Sequence, residues 1–350
     1  MVLLMANIKV KNIYYMLTYA FRVLHEEKYR NIETEEFEYV SDLLAAIFCK
    51  GISSQVKRGL GKDYMQRRET LHSPKGKIEI AVSIKEQTMR SRKLACIYDS
   101  YEENTYLNQI LKSTMYCLLR SDEVKQERKK SLKKLMLYFD DVDVIGLKNV
   151  HWKGIQYSKN NVTYKMLISI CYLIVQGLLL SEEQGNIKMS KYVDDRQMYA
   201  LYEKFVLAYY RKHYPELHPM PSGVDWNEDN GYFELLPVMK TDITLKYRGK
   251  VTIIDTKFYG KMLQSNQLYG SKTLHSDNMY QIFTYVKNKD INHDGSVSGV
   301  LLYAKTEDEE ALDKTYVMSG NRISVKSLDL SQDFSLIKGR LDEVVKEMLE

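Results

Sequence analysis

Two aspartates and a lysine carry the strongest chemical signal in the chain. The segment MKTDITLKYRGKVTIIDTKFY, from Met239 to Tyr259, contains two strand-like runs, about Val238 to Tyr247 and Lys250 to Tyr259, joined at Arg248-Gly249. If the chain turns tightly at that pair, Tyr247 faces Lys250, and stepping outward along both strands brings Asp242 opposite Asp255 on one face of the sheet. Lys257 lies two residues beyond Asp255, so strand alternation puts it on the same face. Directly opposed carboxylates have Cβ atoms about 5 Å apart and oppose sheet formation. At an effective dielectric of about 20 and a separation of about 4 Å they repel by roughly 4 kcal/mol. A shared proton, an ion pair with the lysine or a divalent cation would relieve this. A hard cation such as Mg²⁺ prefers oxygen ligands and keeps several waters; it polarises a phosphate and acidifies a bound water. Lys257 would then orient that water or stabilise charge on the phosphate. Spacing alone is equally consistent with a plain ion pair of Lys257 with one aspartate at a sheet edge. Arg-Gly is also not the favoured Asn-Gly pair for a two-residue turn.

The elements around this hairpin form an α/β unit. An apolar stretch, Leu167 to Leu180, reads as a buried helix, interrupted by Ser169 and Gln176 and too short to span a bilayer. A second helix, about Arg196 to Tyr214, places Met198, Leu201, Tyr202, Phe205 and Tyr209 at helical spacing and stops at Pro215. After the hairpin come a helix around Asn278 to Lys287, a strand at Gly299 to Ala304, and a closing amphipathic helix with Phe334, Ile337, Leu341, Val344 and Met348. This order predicts a mixed sheet with helices packed on it. The N-terminal half is α+β in pattern. Helical periodicity covers Asn12 to His25, Phe37 to Phe48 and Thr105 to Leu118. Ile78, Ile80, Val82 and Ile84 alternate like a strand after the turn Ser73-Pro74-Lys75-Gly76. A boundary is expected near residue 155, giving domains 1–155 and 156–350.

The bulk composition excludes several classes. The chain has 350 residues, 44% of them hydrophobic, enough for a packed core rather than disorder. The net charge of +5 allows a nucleic-acid partner without requiring one. Seven basic residues between Arg120 and Lys134 fit a solvated helix face better than a contact surface. Cys49, Cys96, Cys117 and Cys171 form no metal-ligand spacing and no disulfide framework. The start, MVLLMANIKVKN, has neither the basic region nor the cleavage site of a signal peptide, so the protein is expected in the cytoplasm, with no membrane. There is no G-x-x-x-x-G-K-[ST] phosphate loop, hence no nucleotide site; RGLGKDY, Arg58 to Tyr64, lacks the first glycine and the hydroxyl residue.

An acid on a strand, a hairpin and then Asp-Thr-Lys resembles the PD-(D/E)xK nuclease motif. By that resemblance Asp242 matches the first acid, Asp255 the second and Lys257 the lysine, with Thr241 where many members have proline. Glu203, in LYEKFVLAYY, matches the metal-binding glutamate of the preceding helix, and Gln281 with Tyr285, in YQIFTYV, matches Q-x-x-x-Y on the following helix. NIYYMLTYAFRVL, SPKGKIEI, YEENTYLNQILKS, LYEKFVLAYY and DTKFY, in this order, are together similar to the McrC family. The resemblance implies a restriction-endonuclease-like domain at 156–350. It also implies Mg²⁺-dependent cleavage of double-stranded DNA, with Asp242, Asp255 and Glu203 on the metal. An McrB-like AAA+ GTPase hexamer would be the partner, engaged by residues 1–155. A stand-alone repair nuclease of the same fold and a non-catalytic adaptor of an AAA+ ring are the alternatives.

Overall fold

The computed structural model describes residues 8–157, 161–182, 195–228, 230, 234–259, 261–265, 272–306 and 309–350. The chain divides into two units, 1–43 with 180–350, and 44–179. This differs from domains 1–155 and 156–350: the first helix, α1 (Val10–Ala20), groups with the C-terminal half, and residues 156–179, with most of the apolar helix expected there, group with 44–155. Asn12 Nδ2 donates to the carbonyls of Leu330 and Gln332, each at 2.8 Å, and the ring of Tyr15 stacks on Phe334 at 4.5 Å. An amide with both donors satisfied by backbone fixes the helix in place more specifically than apolar contact alone.

The second unit takes up most of α2 (Val40–Arg58) and contains a three-stranded antiparallel sheet. In it β1 (Asp63–Leu71) and β2 (Lys77–Ile78) pair with opposite edges of β3 (Leu94–Glu102). The alternation from Ile78 to Ile84 does not continue as a strand; Ile80–Lys85 is a short helix, α3. Its cause is Ser83. The hydroxyl donates to Glu79 O at 2.9 Å and accepts from Ala95 N–H at 2.8 Å, replacing a strand partner, while Ile80 and Ile84 are exposed. α4 (Tyr106–Arg120) is capped by Thr105. The surface helix α5 (Gln126–Met136) buries only Leu132, so its lysines are solvated as expected. α6 (Val162–Glu182) is the apolar helix, buried from Met166 to Ile168 and again at Ile170 and Cys171. Among the described residues no helix is long and apolar enough to cross a membrane. Gly61 belongs to a tie rather than a phosphate loop: its N–H donates to Tyr164 OH at 2.8 Å and its carbonyl accepts from Asn108 Nδ2 at 2.9 Å.

The first unit resumes with α7 (Asp195–His213) and builds a five-stranded mixed sheet. Its strands are β4 (Ile243–Tyr247), β5 (Lys250–Phe258), β6 (Val297–Lys305), β7 (Asp313–Met318) and β8 (Asn321–Asp329), in the order β7-β8-β6-β5-β4. β8, β6 and β5 are parallel neighbours; β7 and β4 are antiparallel edges. The hairpin turns where expected, with Tyr247 opposite Lys250. Arg248 (φ 46°) and Gly249 (φ 84°) both take the left-handed conformation that a two-residue turn matched to strand twist demands. β7 and β8 fall in a stretch the sequence left unassigned.

Helices cover both faces of this sheet. On one, Ile282 and Val286 of α8 (Ser276–Lys289) pack with Ile253, Leu301, Ile323 and Val325. On the other, Tyr202 of α7 donates to Leu302 O at 3.5 Å and sets its ring 6.0 Å from Phe258. α9 (Phe334–Leu349) buries Ile337, Leu341 and Val344 as its pattern predicts. β5 is therefore buried from Thr252 to Phe258, as a central parallel strand is. α8 approaches β6 closely at Gly299, where a Cβ would lie 2.7 Å from Ile282 and 2.8 Å from Val286. Gly299→Ala is expected to push α8 outward and destabilise the protein by about 1–3 kcal/mol; thermal unfolding measures the loss, and an unchanged Tm would show that the contact is soft.

Candidate active site

Asp255 and Lys257 lie in the fully buried part of β5, and register places Asp255 beside Leu301 and Lys257 beside Tyr303 of β6. Strand alternation directs both to the face covered by α8. There the Lys257 ammonium sits 2.7 Å from Asp255 Oδ2 and donates to Gln281 Oε1 at 2.9 Å. Gln281 Nε2 in turn donates to Tyr285 OH at 3.0 Å, the two residues being one helical turn apart. Asp255, Lys257, Gln281 and Tyr285 thus form one continuous chain of polar contacts. The ammonium is the cationic partner of the buried Oδ2. Burial pushes the Asp255 carboxyl from 3.8 up to about 6; the charge and hydrogen bond of Lys257 oppose that rise and the Asp242 charge adds to it.

Asp242 stands just outside the ladder. The last pair of the hairpin is Ile243 with Ile254, and the preceding Thr241 is bound to Ser222 instead, its N–H reaching Ser222 O at 2.9 Å. The register is the expected one, but the two aspartates are not a simple opposed pair on one face. Asp242 Oδ2 accepts from Thr256 N–H at 2.8 Å and from the Thr256 hydroxyl at 2.7 Å, taking the place of a backbone carbonyl that the ending strand no longer supplies. A third donor, Tyr199 OH on α7, reaches the same oxygen at 3.1 Å. Burial, then the charges of Asp242, Asp255 and Glu203, hold the Tyr199 phenol well above its ordinary value, which keeps it a donor. Glu203, one turn along α7, is half-buried. Burial first and the Asp242 charge second raise its carboxyl, with Lys204 and Lys240 opposing and Asp255 adding.

The profile of the family described as "McrBC 5-methylcytosine restriction system component" matches residues 5–304. The chain belongs to this family. It is 28% identical over 347 residues to the "Type IV methyl-directed restriction enzyme EcoKMcrBC" of Escherichia coli (strain K12), covering 98% of this chain and 99% of that protein. Its fold is similar to that of a chain in the refined half-complex from the tetradecameric assembly of Thermococcus gammatolerans McrB AAA+ hexamers with bound McrC. There the TM-score is 0.54 at 15% identity, over 97% of this chain and 76% of that one.

The family resemblance implies a metal, and the donor set fits Mg²⁺ in part. The buried Asp255 carboxylate already meets one cation, the Lys257 ammonium at 2.7 Å, and Mg²⁺ uses one or two carboxylates with waters and substrate phosphate. Among the described residues, however, no three acidic, histidine or cysteine side chains converge as a metal cage. Glu203 feels the charges of Asp242 and Asp255 without completing such a cage with them. Sequence reasoning missed Tyr199 and Thr256. Tyr199 was findable, lying four residues before Glu203 on one helix face; Thr256 was not, because alternation points its side chain away from Asp255 and Lys257.

In the metal-free protein the folded state holds the Asp255 proton more tightly than the unfolded chain does. The associated stability is complete below about pH 4 and is lost as pH rises through about 6. Without metal, wild type is expected to lose on the order of 2–3 kcal/mol relative to Asp255→Asn between pH 4 and pH 8. Denaturant titrations of both proteins in a chelator at each pH test this, and parallel pH profiles would overturn the assignment.

Proposed function

We propose that this chain is the DNA-cleaving subunit of a modified-cytosine-directed restriction system: a Mg²⁺-dependent endodeoxyribonuclease of the PD-(D/E)xK type, acting in the cytoplasm and activated by an McrB-like AAA+ GTPase hexamer. The observation that carries this reading is the buried run from Asp255 through Lys257 and Gln281 to Tyr285, with Asp242 tethered beside it. Family membership and the near-full-length likeness to the E. coli restriction enzyme support it.

Asp242 and Asp255 would hold the ion, with Glu203 as an outer carboxylate. Bound Mg²⁺ would supply polarisation of the scissile phosphate and a more acidic water. Lys257, kept between Asp255 and Gln281, presents a fixed positive charge to the phosphate oxygens and an N–H that orients the attacking water. Gln281 fixes the lysine head and Tyr285 fixes Gln281. Nucleotide hydrolysis falls to the partner. The partner-facing surface is assigned to the N-terminal part, within residues 44–155, where Tyr64, Ile80, Ile84, Met89 and Tyr101 are exposed.

The test is cleavage of methylated and unmethylated plasmid, with and without the cognate GTPase and GTP. Cleavage should require partner, GTP and Mg²⁺. Asp255→Ala should lower the rate by at least about 10²–10³-fold, the scale for losing a main electrostatic stabiliser. Gln281→Ala should cost about 10–100-fold, the scale for a supporting residue. Cutting without the partner would instead make the chain a stand-alone nuclease. Stimulated GTP hydrolysis without cutting, indifferent to Asp242→Ala, would make it an adaptor.

A further inference from the structure

A cleft in the first unit has a charged lining that is wholly basic. It lies between α7 and the turn Arg22–His25 after α1, encloses about 640 Å³, and presents Arg22, His25, Arg211 and Lys212 around Tyr19. Lys212 sits 5.1 Å over the Tyr19 ring, and Lys204 sits 5.8 Å over the ring of Phe21. Positions 204, 208, 211 and 212 fall on one face of α7, so the cations form a stripe rather than a scatter. Arg211 is anchored by its Nε–H to Pro219 O at 3.1 Å.

Two of the nearby acids are engaged by other groups. Glu26 pairs with Lys28 at 2.6 Å, and Asp342 accepts from Tyr209 and Tyr214, each at 2.7 Å. The local field acts on histidine: burial first and Lys212 second lower His25 and His213, opposed by the Thr18 backbone and Glu33 at His25 and by Asp342 at His213. The stripe also begins beside the candidate active site, since Lys204 follows Glu203. From there to Lys212 it runs eight residues, about 12 Å at about 1.5 Å per residue. A closed phosphate pocket would gather its cations at a point; these are spread along an axis.

We propose that Arg22, Lys204, Arg211 and Lys212 form a track for the phosphodiester backbone of DNA next to the Asp242–Asp255 site. The placement rests on the nuclease reading; the charge stripe does not. The experiment is fluorescence anisotropy of a labelled duplex with the full chain in chelator, over a range of salt. Removing three cations together, as Arg22→Gln, Lys204→Gln and Lys212→Gln, should weaken binding more than about tenfold at low salt. It should also flatten the log–log salt slope by about two to three, near 0.9 for each phosphate that is no longer neutralised. Lys129→Gln, Lys130→Gln and Lys133→Gln together remove equal charge from α5 and should leave the slope nearly unchanged. Arg22→Lys, made in case the triple variant unfolds, should keep the slope while Arg22→Gln lowers it by about one.

Equal losses from the two triple variants would overturn the track, as would no duplex binding by wild type, or displacement of duplex by inorganic phosphate or GTP at constant ionic strength. If the complex cuts DNA normally but the slope is unaltered in the track variant, the track alone fails. If the slope falls while no cutting occurs with partner and GTP, the track stands and the nuclease reading fails.

Discussion

An acid and a base are buried side by side in an interior strand of a sheet, and the first unit is arranged around that fact. Neither charge tolerates burial alone, and their mutual attraction repays desolvation only if the remaining donors and acceptors are also satisfied. Lys257 comes close to this, with Asp255 on one side and Gln281 on the other. Asp255 is less well served, because burial still raises its carboxyl against the opposing Lys257 ammonium. The apolar packing of α8 on β6 and of α7 on the opposite face supplies the rigidity that keeps the buried pair in place.

The two helices divide the work. α8 faces the lysine and carries the amide and phenol that orient it; α7 faces the opposite side and carries the phenol that orients Asp242. A substitution on either helix therefore acts on one half of the site, through a hydrogen bond that can be named.

Much of this was legible in the sequence because it follows from period and pairing. The tight turn at Arg248-Gly249 fixed the register, and alternation placed Asp255 and Lys257 on one face; Gln281 and Tyr285, one helical turn apart, came from the family resemblance and not from the hairpin. What was not legible depended on contacts far apart in the chain. Asn12 bonding to Leu330 moves the first helix into the C-terminal unit, a link of 318 residues that no local pattern signals. Ser83 turning Ile80–Lys85 into a helix depends on a single hydroxyl against Ala95. The edge position of Asp242 depends on Thr241 being held by Ser222, which removes the next residue from the ladder.

That last detail changes how the two acids are spaced. Asp242 is fastened to the backbone of Thr256, the immediate neighbour of Asp255, so the separation of the carboxylates is set by one residue's geometry on one strand. The hairpin joining them contributes connectivity but not distance. Its strands can lengthen or shorten in step, and its tip can vary, without re-aiming either acid. A chain built this way can diverge freely in the most exposed part of the motif while the chemistry at its base is inherited unchanged.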